Sequence, residues 1–302
     1  MKLVTCSHEG RILTGMWLEE RVLDLAAAGR RMNEAADMSS MLAIIRGGEA
    51  SLSALQRMHA RREEFGDAWI DTAQLTMLAP IPSPARNVFC VGRNYADHVK
   101  EGLVKAGKEL KLPEVPQFFT KATGAVNGPT GEVRLDGRLT RLLDYEVELA
   151  VIIGTAGRDI STERAYEHVF GYCVLNDFTA RDLQRRHDQW FKGKSLDTTC
   201  PFGPCIVDRA ALGDPRSLVL SLTVNGEQRQ HASAEQMIFD IPTIIASLSA
   251  GLTLLPGDII ATGTPAGVGY AMTPPQALKD GDLVVATIDR IGELRNRIAE
   301  VR

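Results

Sequence analysis

The chain has 302 residues, enough for one large hydrophobic core or for a core domain with a smaller appendage, and its 44% hydrophobic and 24% charged residues are typical of a globular enzyme. A formal net charge of −4, with no block of lysine and arginine, argues against nucleic acid or an anionic membrane as a partner. Five cysteines without close spacing, no secretory leader and no apolar run of about 18 residues predict a reduced, cytoplasmic protein that does not cross a membrane.

The first 80 residues differ in pattern from the rest. Short strand-like runs, "KLVTCS", "RILTGMWL" and "RVLDLAA", precede a helical pattern from Met41 to about Phe65 that is broken by two glycines. Pro80, Pro82 and Pro84 follow, and proline continues neither a helix nor a central strand. We therefore predict a small N-terminal α/β domain over residues 1–80 and a catalytic domain over 81–302.

Strand patterns dominate after the prolines. They include "NVFCVG", "DYEVELAVIIG", "GYCVLNDF" and "LVLSLTVNGEQRQ", in which Asn-Gly is typical of a hairpin turn. Helical stretches are few and do not alternate regularly with the strands, so a doubly wound parallel sheet is disfavoured. The prediction is a β-rich α+β fold with curved sheets and a few covering helices.

Two glutamates stand one residue apart in "DYEVELAVIIG". On a strand, Glu146 and Glu148 share a face, with Cα atoms roughly 7 Å apart. If both are buried they repel each other unless a cation lies between them, and oxygen ligands favour Mg²⁺, Mn²⁺ or Ca²⁺ over zinc. From these two residues alone, an edge strand with a polar face is the alternative.

A third acid, Asp177, ends the apolar run "GYCVLND" just before a helix that we expect to begin near Thr179. A strand end beside a helix N-terminus is a usual place for a ligand-binding side chain, although a simple turn or cap residue is the alternative. Together, Glu146, Glu148 and Asp177 predict a site of three carboxylates with positions open to water and substrate.

His98 and Glu101 are three residues apart, so on a helical turn they share a face. A histidine oriented by a carboxylate can act as a general base near neutral pH, whereas a surface contact is the alternative. The polar segment that follows suits a lid. We expect lid residues 99–116, with Trp190 and Phe191, to shape the substrate pocket.

Two further segments carry candidate site residues. Lys194 lies between Gly193 and Ser195 with apolar flanks, unlike an ordinary surface lysine. The segment "ATGTPAGVG" (residues 261–269) lets backbone N–H groups approach a ligand, but it lacks the Gly-Lys-Ser/Thr ending of a P-loop. We interpret it as a carboxylate-binding turn, with a plain tight loop as the alternative.

The order of "GRNYADH", "DYEVELAVIIG", "LNDFTARDLQ", "KGKSLDTTCPFGP", "ATGTPAGVG" and "LKDGDLV" closely resembles the fumarylacetoacetate hydrolase family over about residues 82 to 300. The resemblance implies a mixed β-roll or β-sandwich catalytic fold, a bound Mg²⁺ or Mn²⁺ and a homodimer. It also implies small-molecule substrates that are β-diketo acids or related 2-oxo and 2-hydroxydienoic acids.

The resemblance assigns a role to each matching position. It implies metal ligands at Glu146, Glu148 and Asp177, and catalytic residues at His98, Glu101 and Lys194. It further implies substrate contacts at Arg181, Gln184 and Thr264, the last to a substrate carboxylate. Longer, eukaryotic-type members carry an additional acidic ligand where this chain reads "VGRNY", so the chain resembles the smaller bacterial type with three protein ligands.

Two reactions fit this resemblance. The first is hydrolysis of a C–C bond in an acylpyruvate such as fumarylpyruvate or fumarylacetoacetate, as in the catabolism of aromatic compounds. There His98 would activate water, while the metal and Lys194 would stabilise a pyruvate enolate. The alternative is isomerisation or decarboxylation of an oxaloacetate-like or 2-hydroxyhepta-2,4-diene-1,7-dioate-like acid through the same enolate. A non-catalytic binding protein is disfavoured, because binding does not require a general base.

Overall fold

The structure is a computed structural model that describes residues 1–105, 107, 109 and 111–301. It is a strand-rich α+β protein, which confirms the fold class predicted from the sequence. Within these residues, no helix combines the length and the apolar character needed to span a membrane.

The strands and α-helices fall into three sets. The strands of the first 80 residues are β1 (Lys2–His8), β2 (Arg11–Leu18), β3 (Arg21–Asp24), β4 (Trp69–Asp71) and β5 (Thr76–Leu78). The later strands are β6 (Val88–Gly92), β7 (Gln117–Lys121), β8 (Val126–Asn127), β9 (Val133–Leu135), β10 (Leu143–Asp144), β11 (Val147–Ile153), β12 (Val169–Asn176), β13 (Thr179–Ala180), β14 (Cys200–Asp208), β15 (Val219–Val224), β16 (Glu227–Ser233), β17 (Ile259–Ala261), β18 (Leu283–Ile288) and β19 (Gly292–Glu300). The helices are α1 (Leu25–Met32), α2 (Met41–Arg46), α3 (Gly48–Ala60), α4 (Ala96–Lys105), α5 (Arg181–Arg186), α6 (Phe191–Lys194), α7 (Arg209–Leu212) and α8 (Ile241–Ser249).

One large sheet organises the molecule. It contains twelve strands of the described chain, in the order β4-β3-β2-β1-β14-β12-β11-β17-β6-β7, with β5 paired to β1 and β8 paired to β14. A second sheet of five described strands has the order β16-β15-β18-β19-β9, and β10 pairs with β13 in a short ribbon. Strand β11 is antiparallel to both of its neighbours, β12 and β17, so it lies in the interior of the large sheet.

The burial of β11 on both faces explains its nearly continuous aliphatic sequence. Val147, Leu149 and Val151 belong to a core that includes the five-stranded sheet, whereas Ala150 and Ile152 face a second core under α2 and α3. Glu148, the second residue of the strand, lies on the same face as Ala150 and Ile152 and is only 1% exposed. The strand therefore carries a carboxylate into the interior.

The N-terminal strands are continuous with the sheet that holds β11. Leu3 of β1 lies opposite Ile206 of β14, and the hydroxyl of Thr5 donates a hydrogen bond of 2.6 Å to the carbonyl of Pro80. The proline segment therefore packs against the first strand. The division of the chain near residue 80 stays a prediction, with a sheet that runs across it.

Local signals in the sequence are confirmed at two places. The helical pattern after Met41 forms α2 and α3, which are separated by Gly47; Gly48, the first residue of α3, has φ +53°. Asn225 and Gly226 take φ values of 51° and 83° in the turn between β15 and β16, as a two-residue hairpin requires.

The helix expected from Thr179 begins instead at Arg181, so that prediction is wrong by two residues. Thr179 pairs with Asp144 in the β10–β13 ribbon, and its hydroxyl donates to the carbonyl of Asp177. Tertiary pairing thus places in a strand the residue at which the helix was expected to begin.

Candidate active site and metal centre

Three carboxylates converge where β11 and β12 meet. Glu146 immediately precedes β11, Glu148 lies within it and Asp177 immediately follows β12. Their ligand oxygens all lie within 4.8 Å of one another, and the three residues are 4%, 1% and 0% exposed. Val147 lies opposite Asn176, and the backbone N–H of Asp177 donates to the carbonyl of Glu146 at 2.8 Å, so antiparallel register brings the acids together.

Basic side chains surround two of these acids. The Lys194 Nζ lies 2.6 Å from both Glu146 Oε2 and Asp177 Oδ2. The Arg181 Nη2 donates to Glu146 Oε1 at 2.6 Å, and the Lys121 Nζ donates to Asp177 Oδ1 at 2.6 Å. Such short, charge-assisted contacts fix the orientation of both carboxylates.

Glu148 differs from its neighbours. It accepts a hydrogen bond of 2.7 Å from the backbone N–H of Gly263 but forms no ion pair with any described residue. Burial, followed by the charges of Asp177 and Glu146, raises the pKa of Glu148 well above its ordinary value. A divalent cation bound to the three carboxylates would supply the positive charge that Glu148 lacks, and the all-oxygen donor set suits Mg²⁺ or Mn²⁺.

The charges of the other groups are set by their partners. Burial raises the pKa of Glu146, but the positive charges of Arg181 and Lys194 outweigh burial and leave that pKa below its ordinary value. Burial lowers the pKa of Lys194, but the carboxylates of Asp177 and Glu146 outweigh burial and leave it raised. Lys194 is therefore an ammonium at neutral pH and can donate hydrogen bonds but not accept a proton.

The histidine–glutamate pair forms on α4. The His98 Nδ1 lies 2.8 Å from Glu101 Oε1, and Glu101 Oε2 accepts a hydrogen bond of 2.9 Å from the Gly267 N–H. When Nδ1–H donates to Glu101, Nε2 is the basic nitrogen of the ring. Glu101 thus both orients His98 and fastens α4 to the glycine-rich segment.

The segment 261–269 contacts protein carboxylates through three of its N–H groups, those of Gly263, Gly267 and Gly269. Gly263 has φ +100°, and a Cβ there would lie 2.7 Å from the Cβ of Asn94, so the segment requires glycine at this position. The hydroxyl of Thr264 accepts a hydrogen bond of 2.8 Å from Gln230.

A cleft of about 370 Å³ opens onto the site, within the usual range for a small-molecule pocket. Its described lining includes most of the residues predicted to act in the site: His98, Glu146, Glu148, Arg181, Gln184, Lys194 and Thr264. Glu101 and Asp177 contact these residues without lining the cleft.

The predicted substrate pocket is formed in part by the expected residues. Val99, Gly102 and Leu103 of the predicted lid line the cleft, as does Trp190. Phe191 is 45% exposed and does not belong to the described lining. Three positions of the predicted lid lie outside the described residues: Ala106, Lys108 and Leu110.

Three residues of the site were missed from the sequence. Lys121, fully buried at the end of β7, donates to Asp177 and to the carbonyl of Phe178. Asp144 accepts from Arg181 Nε at 2.9 Å and from three backbone N–H groups. Gln230 accepts from the Val147 N–H at 3.0 Å and donates to Thr264. A lysine in the apolar run "QFFTKA" was a visible signal for the first of these.

Comparison with known proteins identifies the family. The family model for the C-terminal domain of fumarylacetoacetate (FAA) hydrolase matches residues 87–299. The chain belongs to the fumarylacetoacetate hydrolase family. The solved structure of a family member, a fumarylacetoacetate hydrolase from psychrophilic Exiguobacterium antarcticum, is 42% identical, covers 100% of both chains and has a TM-score of 0.82.

Relatives within the family differ in reaction. The oxaloacetate tautomerase YisK of Bacillus subtilis (strain 168) is 43% identical over 309 residues, covering 99% of this chain and 100% of its own. A maleylpyruvate hydrolase from Sphingobium sp. SYK-6, solved in complex with manganese(II) ion and pyruvate, is 30% identical, covers 100% of both chains and has a TM-score of 0.79. The family alone therefore does not select between isomerisation and hydrolysis.

Proposed function

We propose that this protein is a divalent-metal-dependent isomerase that interconverts the keto and enol tautomers of oxaloacetate or a closely similar 2-oxo acid. The observation that carries the proposal is the 43% identity, over essentially the whole of both chains, to an oxaloacetate tautomerase. This identity supports the second of the two reactions that the family resemblance implies over C–C hydrolysis.

The site supports the proposal chemically. Glu146, Glu148 and Asp177 would hold Mg²⁺ or Mn²⁺, which would supply Lewis acidity that favours enolate formation. His98 is the base, because Lys194 and Arg181 face the cleft as cations and cannot accept a proton.

The residues of the chain then account for both proton transfers. His98 removes a proton from C3 of the keto form, and its ring, held by Glu101, carries that proton as an imidazolium. Lys194 donates a hydrogen bond toward the oxygen at which negative charge develops. Return of the proton to that oxygen yields the enol, so the reaction consumes neither water nor a cofactor electron.

Hydrolysis of an acylpyruvate is the second candidate, because the His98–Glu101 pair could equally activate water. It is supported by the maleylpyruvate hydrolase, which is 30% identical over the whole chain. Here the base would act on water, and Lys194 would stabilise the departing pyruvate enolate.

Product analysis separates the two reactions. The purified protein with Mg²⁺ is incubated with oxaloacetate and, separately, with fumarylpyruvate, and the products are followed by proton NMR. We expect accelerated tautomer exchange of oxaloacetate and no pyruvate from fumarylpyruvate. Rapid release of pyruvate and fumarate, with no effect on oxaloacetate exchange, would replace the proposal with the hydrolase.

A further inference from the structure

Two guanidinium groups of the cleft have no role in the chemistry above. Arg93 and Arg185 both line the cleft and are exposed, and neither forms an ion pair with a carboxylate in the part of the chain that the structure describes. Arg93 lies over the ring of Trp190, with 5.7 Å from its Cζ to the ring centroid, and Arg185 lies 4.6 Å from the ring centroid of Tyr270. Each is thus a cation held at the wall of a site that receives anions.

Arg185 is fixed by the same framework that fixes Arg181. It follows Arg181 by one turn of α5, and its Nε donates to the carbonyl of Arg181 at 3.1 Å. The backbone N–H of Tyr270 donates to Asp144 Oδ2, the oxygen that also accepts from Arg181 Nε. Stacking on Tyr270 uses the face of the guanidinium, and with Nε bonded to the Arg181 carbonyl, the two Nη groups are the ones that can donate to a carboxylate.

The spacing suits a short dicarboxylate. Arg181 donates to Glu146 beside the metal ligands, and residues four apart on a helix have Cβ atoms about 5–6 Å apart. A four-carbon chain spans about 4 Å between its terminal carbons, given C–C bonds of roughly 1.5 Å. An acid of this length, with its 2-oxo end at the three carboxylates, would extend its far end toward the next turn of α5, which carries Arg185.

Arg93 is set farther from the reacting end. The Lys194 Nζ lies 5.0 Å from the ring centroid of Phe119, and the Phe119 and Trp190 ring centroids are 5.3 Å apart. Arg93 lies over the Trp190 ring. Two aromatic rings thus separate Arg93 from Lys194, whereas a single helical turn separates Arg185 from Arg181.

We propose that Arg185 is a specificity-determining residue that binds the second carboxylate of a 2-oxo dicarboxylic acid. This inference rests on the proposed function, since it takes the 2-oxo end of the substrate to lie at the carboxylate site. A second carboxylate that entered the cleft without a partner would lose its hydration without compensation. Arg185 supplies that partner and therefore favours dicarboxylic over monocarboxylic 2-oxo acids.

The test compares two substrates that differ only at the far end. Oxaloacetate ends in a carboxylate and 2-oxobutanoate ends in a methyl group, and both exchange hydrogen at C3 for deuterium. Exchange is measured by NMR with Mg²⁺ for the parent, Arg185→Met, Arg185→Lys and Arg93→Met. The control is Arg186→Met, which makes the same change at the exposed neighbour in α5 that does not belong to the described cleft lining.

We expect Arg185→Met to lower kcat/KM for oxaloacetate by about 10- to 100-fold, as for loss of a hydrogen bond between charged groups. The value for 2-oxobutanoate should change little, and Arg185→Lys should recover part of the loss. Equal loss with both substrates would indicate a merely structural role and overturn the proposal. It is also overturned if oxaloacetate exchange is unchanged in Arg185→Met, or if Arg93→Met, and not Arg185→Met, removes the preference.

A binding measurement separates this proposal from the proposed function. If the parent exchanges neither substrate, the tautomerase proposal fails, and calorimetric titration with the unreactive pair malate and 2-hydroxybutanoate still tests Arg185. The role of Arg185 is supported if the parent binds malate more tightly than 2-hydroxybutanoate, and if this preference is lost in Arg185→Met and kept in Arg186→Met. Equal affinity of the parent for the two acids overturns it.

Discussion

Glu148→Gln should raise the free energy of unfolding of the metal-free protein and abolish the stabilisation of the protein by Mg²⁺. Glu148 is buried beside two other carboxylates without a basic partner among the described residues, and two unit charges 4.8 Å apart repel by about 3 kcal/mol at an effective dielectric constant of about 20. Glutamine keeps the shape and removes the charge. It also removes a ligand oxygen of the charged type that a hard cation requires.

The difference in unfolding free energy between the parent and Glu148→Gln depends on pH. The pKa of Glu148 is raised in the folded state, so the folded protein binds the extra proton and Glu148 favours folding most at low pH. That contribution is lost as pH rises from the ordinary range of glutamate toward the raised value, by up to about 1.4 kcal/mol per pH unit. The parent and Glu148→Gln should therefore be similar near pH 5, and the variant should be more stable by about 1–3 kcal/mol near pH 7.

Urea unfolding with EDTA or with Mg²⁺, at both pH values, measures these differences. The matched control is Glu146→Gln, which breaks the pairs with Arg181 and Lys194 and should destabilise the metal-free protein by about 3–5 kcal/mol. Two substitutions of the same kind, two positions apart, thus have opposite predicted signs. Our assignment is refuted if metal-free Glu148→Gln is less stable than the parent at pH 7, or if Mg²⁺ stabilises both proteins equally.

The remaining predictions concern residues in and below the site. His98→Ala should keep the stabilisation by Mg²⁺ but lower kcat by about 10²- to 10⁴-fold, as measured by enol decay; loss of metal binding would place His98 among the ligands. Lys121→Met should lower the metal-free unfolding free energy by about 3–5 kcal/mol, since it leaves Asp177 Oδ1 buried without its partner; an unchanged urea midpoint would contradict this. Burial raises the pKa of all five cysteine thiols, so an aromatic disulfide reagent should react with them only after unfolding; rapid labelling of the native protein would show that they are accessible.

Much of the sheet was predictable from the sequence because its signals are local. Strand β11 could be recognised from its nearly continuous aliphatic sequence. The hairpin between β15 and β16 could be recognised from Asn225-Gly226. Pairing between distant strands leaves no such signal. The contact of β1 with β14 joins residues about two hundred positions apart, and nothing in either strand specifies the other.

The same limit applies to the site. Glu146 and Glu148 could be recognised as a pair from strand periodicity, and the end of an apolar strand pointed to Asp177, to which the family resemblance then assigned a metal-ligand role. The lysine that holds Asp177 could not be assigned to it, because Lys121 precedes it by 56 positions and reaches it only through the fold. The start of α5 was misjudged for a similar reason, since pairing of Thr179 with Asp144 overrides the helix signal.

The most direct test of the account is the rate at which the oxaloacetate enol converts to the keto form, followed by stopped-flow absorbance. We predict that the parent accelerates this conversion with Mg²⁺, that EDTA abolishes the acceleration, and that Glu148→Gln lacks it at any Mg²⁺ concentration. Acceleration that is unaffected by EDTA, or that Glu148→Gln retains in full, would contradict a metal centre formed by Glu146, Glu148 and Asp177.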